Sequence, residues 1–284
     1  MAKIARSQVA GMNIHYLYYS LDYFLDSQVA AGIRSIELWG GAPHFWLDHM
    51  TYSDCQIIRK KAADRGLDIV VFTPENAIYQ YQFAAQEPEQ FEKSYLYFVN
   101  GIRAAAELGC GIMAINSGWG YLNESRETAW NRSREMLGRL AEVAGKEGVV
   151  LAMETLRPEE SRLVVTLGDA KRMIDEVSHP ALKAMIDTIA MGVAGETLQQ
   201  WFDVFGKDIV HTHFVDGKPY GHLIWGDGNH SMEDFVTCLN VNDYQGYLGQ
   251  EITDAKYLEN PAAADLKNME RWNTFIAGGD PRLD

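Results

Sequence analysis

Four short apolar runs in the second half of this sequence end on an ionisable side chain. "VVLAME" runs into Glu154, "KAMID" into Asp187, "IVHTH" into His213 and "YLGQE" into Glu251. A carboxylate at the tip of a hydrophobic strand is costly to desolvate, and three brought together raise one another's pKa. A divalent cation removes that repulsion. Three oxygen donors and one imidazole suit Mn²⁺ first, then Mg²⁺ or Co²⁺, with Zn²⁺ as a further choice. The cysteines, Cys55, Cys110 and Cys238, lie apart from these positions and have no paired spacing. Taken singly, each acid could equally cap a helix or accept a loop hydrogen bond; the four together point to one metal ion. His211 and His213 share a strand face because side chains alternate. His213, nearer the strand end, is the expected ligand, and His211 the deeper, orienting group.

The ends of this set suggest the chemistry. Glu154 and Glu251 come first and last in it, so a substrate laid across the metal meets one carboxylate on each side. A cation that holds a carbonyl and the neighbouring hydroxyl acidifies the C–H between them by stabilising an enediolate. One glutamate then removes a proton and the other returns it. Return to the opposite face of the same carbon is epimerisation, and return to the other enediolate carbon is aldose–ketose isomerisation.

Such a set needs a scaffold that brings consecutive strand ends together. Apolar runs at 4–10, 35–40, 68–73, 111–116, 149–154, 182–188, 209–215 and 247–252 alternate with helical patterns, for example Leu21, Leu25 and Val29 at four-residue steps. Ser53-Asp54, Pro88-Glu89 and Thr197 give helix starts. Gly32, Gly66, Gly109, Gly148, Gly206 and Gly246 mark returns from helix to strand, while the joint before the sixth strand uses "SHP". Eight strand–helix units with no linker predict a (β/α)8 TIM barrel, an α/β fold, as one domain over residues 1–284. A doubly wound sheet would carry a glycine-rich phosphate turn after its first strand, and none is present. In a barrel the active site lies at the carboxyl ends of the strands, and neighbouring strands are about 4.8 Å apart, so the four endings converge.

The formal net charge of −14 and the lack of any Lys/Arg run argue against nucleic acid as a partner. Apolar runs stay strand-length, against the roughly 20 residues of a membrane span, and "MAKIARSQVAG" does not read as a signal peptide. A cytoplasmic protein without a membrane partner is expected. Trp39 and Trp119 close strands two and four, where an indole either stacks on a sugar face or packs in the core. Glu37 and Glu75 fall at strands two and three, as supporting or substrate-facing acids. His44 and Tyr16 are further loop candidates, and Arg157, Lys218 and His230 could meet a charged substituent.

The segments "IELWGGAPH" (36–44), "FTPE" (72–75), "GYL" (120–122), "LAMETLRPEESRLV" (151–164), "MIDT" (185–188), "HTHFVDG" (211–217), "GDG" (226–228) and "GQEIT" (249–253) resemble the xylose-isomerase-like superfamily of sugar epimerases and isomerases over nearly the whole chain. Within it, the fructoselysine 3-epimerases and then the D-tagatose/D-psicose 3-epimerases are most similar. The resemblance implies Glu154, Asp187, His213 and Glu251 as ligands, Glu154 and Glu251 as the acid/base pair, and a homo-oligomer, dimer or tetramer. It also implies Glu160, His222 and Asp216 as substrate contacts. Where the ketose epimerases carry a histidine three residues beyond the sixth-strand aspartate, this chain has Ala190, and Asp216 is followed by Gly217 and Lys218 in place of an arginine. That departure favours an extended or substituted ketose over a free one. The runner-up is a hydroxypyruvate-type aldose–ketose isomerase with the same metal site. Apurinic-site nucleases share the fold, but their three zinc ions need extra histidines on early strands, which here end in Trp-Gly-Gly, Thr-Pro-Glu and Asn-Ser-Gly. A barrel that only binds sugar would leave the paired glutamates without a purpose.

Overall fold

The computed structural model describes residues 4–77 and 81–276. Eight parallel strands close into a barrel: β1 (Val9–Met12), β2 (Ser35–Gly40), β3 (Asp68–Pro74), β4 (Ile112–Ile115), β5 (Val150–Met153), β6 (Leu182–Asp187), β7 (Ile209–His213) and β10 (Tyr247–Gln250), which pairs with β1. Between β7 and β10 the strands β8 (Asp216–Lys218) and β9 (Tyr220–Leu223) form an antiparallel hairpin outside the barrel. The barrel is the (β/α)8 architecture that the alternation of runs predicts.

Boundaries differ where local hydrogen bonding outweighs hydropathy. The first apolar run is not a strand from residue 4: Arg6–Gln8 form a 3-10 turn, closed by the Gln8 side chain on the Ala5 N–H, and β1 starts at Val9. Helix α1 (Leu21–Ala30) buries Phe24, Leu25 and Gln28, leaving Val29 on the solvent side. Helix α2 (Tyr52–Ala63) begins at Thr51, not Ser53, because Thr51 and Asp54 bond each other's backbone reciprocally. Helix α3 (Pro88–Leu108) starts on its proline, and α7 (Leu198–Phe205) on Thr197, as the sequence indicates. At the "SHP" joint the left-handed residue is Ser178, and before β10 it is Asp243 rather than Gly246.

Two apolar layers hold the barrel. One lies between the strands and the surrounding helices, with Trp130, Trp201 and Trp272 fully buried. The other fills the lumen with Val71, Ala114, Ala152 and Met185, the packed interior that makes such a barrel a core and not a pore. Toward the carboxyl ends the lumen turns polar. There Glu37 on β2 reaches across to His211 and His213 on β7. Gly249 on β10 leaves the space, since a Cβ there would stand 2.2 Å from Glu37 Oε2.

Candidate active site

Parallel pairing sets the site's register. Asp187 lies beside His213 on β6 and β7, and Gly249 lies on the other side of His213. Glu154 and Glu251 follow the last residues of β5 and β10. Glu154, His213 and Glu251 meet directly, and Asp187 joins them through His222. His213 Nδ1 lies 2.6 Å from Glu154 Oε1 and 3.1 Å from Glu251 Oε2. His222, on β9, places Nε2 3.2 Å from both Asp187 Oδ2 and Glu251 Oε2. Asp187 also caps helix α6 (Thr188–Val193), its Oδ1 accepting the Ile189 N–H at 2.8 Å, so the bland and the chemical roles of this acid coexist.

Below this layer Glu37 is fully buried. It accepts from His211 Nε2 at 2.8 Å, from His213 Nε2 at 3.0 Å and from the Thr73 hydroxyl at 2.5 Å. Glu37 thereby fixes the His213 ring and points Nδ1 upward, the carboxylate–histidine arrangement that orients an imidazole ligand. His211 is the deeper, orienting histidine expected from its position.

Electrostatics follow this geometry. Burial raises the Glu154 carboxyl to about 7, against the pull of His213. For Glu37 burial acts upward too, but the two imidazoles prevail and hold it below the usual carboxylate range. Asp187 is likewise lowered, burial being outweighed by His222 and His213. Burial disfavours imidazolium at His213 and His222, yet the Glu251, Glu154 and Glu37 charges hold His213 well above its ordinary value, and Asp187 and Glu251 bring His222 to about 9.

A cation fits this set. Glu154 Oε1 and His213 Nδ1 are buried 2.6 Å apart, paired only when the imidazole is protonated, and neither has another hydrogen-bond partner. Both instead aim at a shared point within reach of Glu251, and Asp187, His222 and Glu251 form an adjoining cluster. Oxygen and imidazole donors in this proportion suit a borderline or hard divalent ion.

Above lies a cavity of about 140 Å³ whose walls include Trp39, Glu75, Asn116, Glu160, His222 and both catalytic candidates, Glu154 and Glu251. Arg157, also in this wall, grips Glu160 with Nε and Nη2 at 3.0 and 2.5 Å. Trp39 donates from Nε1 to Glu75 at 3.0 Å.

Other candidates sit elsewhere. Asp216 is fully buried, and its carboxylate accepts the N–H groups of Gly217, Gly226, Gly228 and His230 at 2.8–3.0 Å. It organises the loop after the hairpin and has no oxygen left for a sugar, which corrects its expected role as a substrate contact. Trp119 stands apart from the 140 Å³ cavity, in a surface depression beside Gln82, Glu87 and Tyr121. His44 ties loops together through Asn13 and the Tyr19 carbonyl. Tyr16 donates to buried Asp265 at 2.6 Å. Lys218 is exposed on the hairpin.

His222, a substrate contact by the resemblance, is fixed against Asp187 and Glu251 by the β8–β9 hairpin, whose signal, Pro219 followed by Gly221 between short apolar stretches, is weak. One cavity residue escaped the sequence reading. Asn116 lines the cavity and bonds Asn76 at 2.6 Å, with nothing in its spacing to mark it.

Residues 25–272 match the family described as xylose isomerase-like TIM barrel. The chain belongs to this family. Among curated proteins, a fructoselysine 3-epimerase of Shigella flexneri is 28% identical over 86% of this chain and 89% of its own length. A D-psicose 3-epimerase of Ruminiclostridium cellulolyticum is 22% identical over 95% and 91%. Among solved structures, a 3-keto-D-glucoside 4-epimerase from E. coli superposes with a TM-score of 0.79 at 18% identity, covering 94% of this chain and 99% of that one. This xylose isomerase-like barrel is thus epimerase-like, with a cluster of acids and histidines able to hold a metal at its carboxyl-end face. Among the described residues no helix is long and apolar enough to cross a membrane.

Proposed function

We propose that the protein inverts C3 of a ketose or substituted ketose through an enediolate, with Glu154 and Glu251 as the proton-transferring pair. The observation that carries this reading is the convergence of the two carboxylates on His213 Nδ1, at 2.6 and 3.1 Å. In this reading Glu154, Asp187, His213 and Glu251 hold one divalent cation, Mn²⁺ first, which supplies positive charge where the enediolate oxygens develop negative charge.

The chain's own groups do the rest. One glutamate accepts the C3 proton on one face of the sugar, and the other donates to the opposite face. Glu154 is suited to either duty near neutral pH, because burial brings its carboxyl to about 7. His222 bonds Asp187 at 3.2 Å and borders the cavity, where it can donate to a sugar hydroxyl. Arg157 and Glu160 neutralise each other and present a fixed polar edge to the sugar. The Thr73–Glu37 pair holds His213 from below.

Incubation with Mn²⁺ in heavy water, with carbon-bound hydrogens followed by NMR, tests this. Deuterium entering C3 of a ketose supports the proposal. Deuterium at C1 or C2 moves the reading to aldose–ketose isomerisation at the same site, and no exchange in any free or amino-linked ketose counts against both.

A further inference from the structure

A second chamber of about 410 Å³, roughly three times the volume of the catalytic cavity, opens beside it. The two share Ile14, Trp39, Glu75 and Thr253 as walls, and Leu17, Trp46 and Leu258 continue the second one outward. We propose that this chamber is a subsite for a substituent carried by the sugar, and that the substituent is uncharged and apolar, an aryl or alkyl group in place of a charged amino acid. The inference rests on the epimerase reading above and specifies its substrate class.

The dividing wall is built in advance. The Trp39 backbone N–H donates to Asn13 Oδ1 at 2.6 Å, and its carbonyl accepts from Asn13 Nδ2 at 3.1 Å. Its indole N–H is held by Glu75 Oε2 at 3.0 Å. Gly41 lets the ring lie flat on the following loop, since a Cβ there would stand 2.0 Å from Trp39 Cη2. An indole fixed on three sides loses little freedom when a ligand packs on it, so contact area converts into affinity with less ordering cost.

The chamber's chemistry selects the occupant. Among the described residues no lysine or arginine lines it, so a carboxylate or phosphate on the substituent would be desolvated without a partner. Its one carboxylate, Glu75, is already engaged by the Trp39 N–H and by the Ala77 N–H at 3.1 Å, and burial raises its pKa. His15 has Nε2 on Asp265 at 3.0 Å and keeps only a buried Nδ1 without a partner, which carries no charge to pair with an anion. Arg157 lines the catalytic cavity instead, where Glu160 holds it. Apart from the Thr253 side chain at the border with the catalytic cavity, what remains on offer is two indoles and the apolar Ile14, Leu17, Ala42 and Leu258, a surface that rewards apolar area.

The test is calorimetric titration of the Mn²⁺-loaded protein with D-fructose, N-benzyl-fructosamine and fructosyl-lysine; the last two share an amine linkage and differ at the far end. N-benzyl-fructosamine should bind at least about tenfold more tightly than either of the others. The benzyl-to-fructose affinity ratio should fall toward one in Trp46→Ala and in Leu258→Asp, the second keeping the test alive if the first fails to fold. Equal or tighter binding of fructosyl-lysine, no gain from the benzyl group, or a gain that survives both substitutions overturns the subsite. Deuterium exchange at C3 of D-fructose, run in parallel, separates the two readings. Exchange without a benzyl preference defeats only the subsite, and a benzyl preference without exchange defeats only the epimerase assignment.

Discussion

Acids and histidines occur in two layers of this barrel, and the layers behave differently. In the lower one Glu37, His211 and the Nε2 side of His213 are sealed from solvent, and Glu37 receives three hydrogen bonds. In the upper one Glu154 and Glu251 keep 14% and 17% of their side chains exposed, and Glu154 Oε1 and His213 Nδ1 have no partner beyond each other and Glu251. The lower layer has used up the capacity of its carboxylate; the upper holds capacity in reserve. Residue type alone therefore does not separate support from chemistry. What separates them is whether the lone pairs are already spent. His211 Nδ1 is the exception below, buried without a partner, and the structure offers no reason for it.

This contrast can be broken in order of expected effect. Glu251→Gln and Glu154→Gln, each an isosteric change in the upper layer, should leave the circular dichroism spectrum intact and lower C3 exchange by ~10²–10⁴-fold; a near-normal rate would remove the residue from proton transfer. Glu37→Ala should act instead on the fold, costing roughly 3–5 kcal/mol in denaturant titration, because two buried imidazoles lose their shared acceptor. Glu37→Gln, which keeps the shape, should weaken Mn²⁺ affinity by roughly 10–100-fold in calorimetry, as loss of a supporting partner does elsewhere. Gly249→Ala, which pushes a methyl toward Glu37 Oε2, should cost about 1–3 kcal/mol by overpacking. A stability change within experimental error would show that the lower layer can shift.

Titration sharpens the same comparison. A divalent cation bound as proposed would compete with protons on His213, held well above its ordinary value, and on Glu154 near 7. Affinity should therefore rise between about pH 6 and 8 with net proton release, visible as buffer-dependent binding enthalpy. In the metal-free protein His222 titrates at about 9 against an unfolded value of 6.5. Its contribution to stability is thus complete below 6.5 and lost as pH rises through 9. His222→Gln should flatten that part of the stability–pH curve, and an unchanged curve would refute the pairing.

Much of the site is legible without coordinates, for a physical reason. Strand runs that end in Glu154, Asp187, His213 and Glu251 conflict with the cost of burying charge, and a conflict repeated on neighbouring strands points to a shared ligand. Asp216 shows the limit of that logic. Its acid in an apolar context looks the same in one dimension, but its partners are backbone N–H groups up to fourteen residues away. His222 shows the converse, since a short hairpin with little hydrophobic signal brings it to Asp187 and Glu251.

The order of runs and breaks in this sequence was enough to determine the eight-stranded barrel and the charged strand ends, because hydrophobic periodicity and the geometry of parallel strands are local and repeat along the chain. Tertiary structure decided which lone pairs remain free, that Glu37 crosses the lumen to His213, that Asp216 is consumed by a loop, and that Trp39 divides two chambers. Each of these depends on contacts between residues far apart in the chain, whose distances no spacing in the sequence encodes.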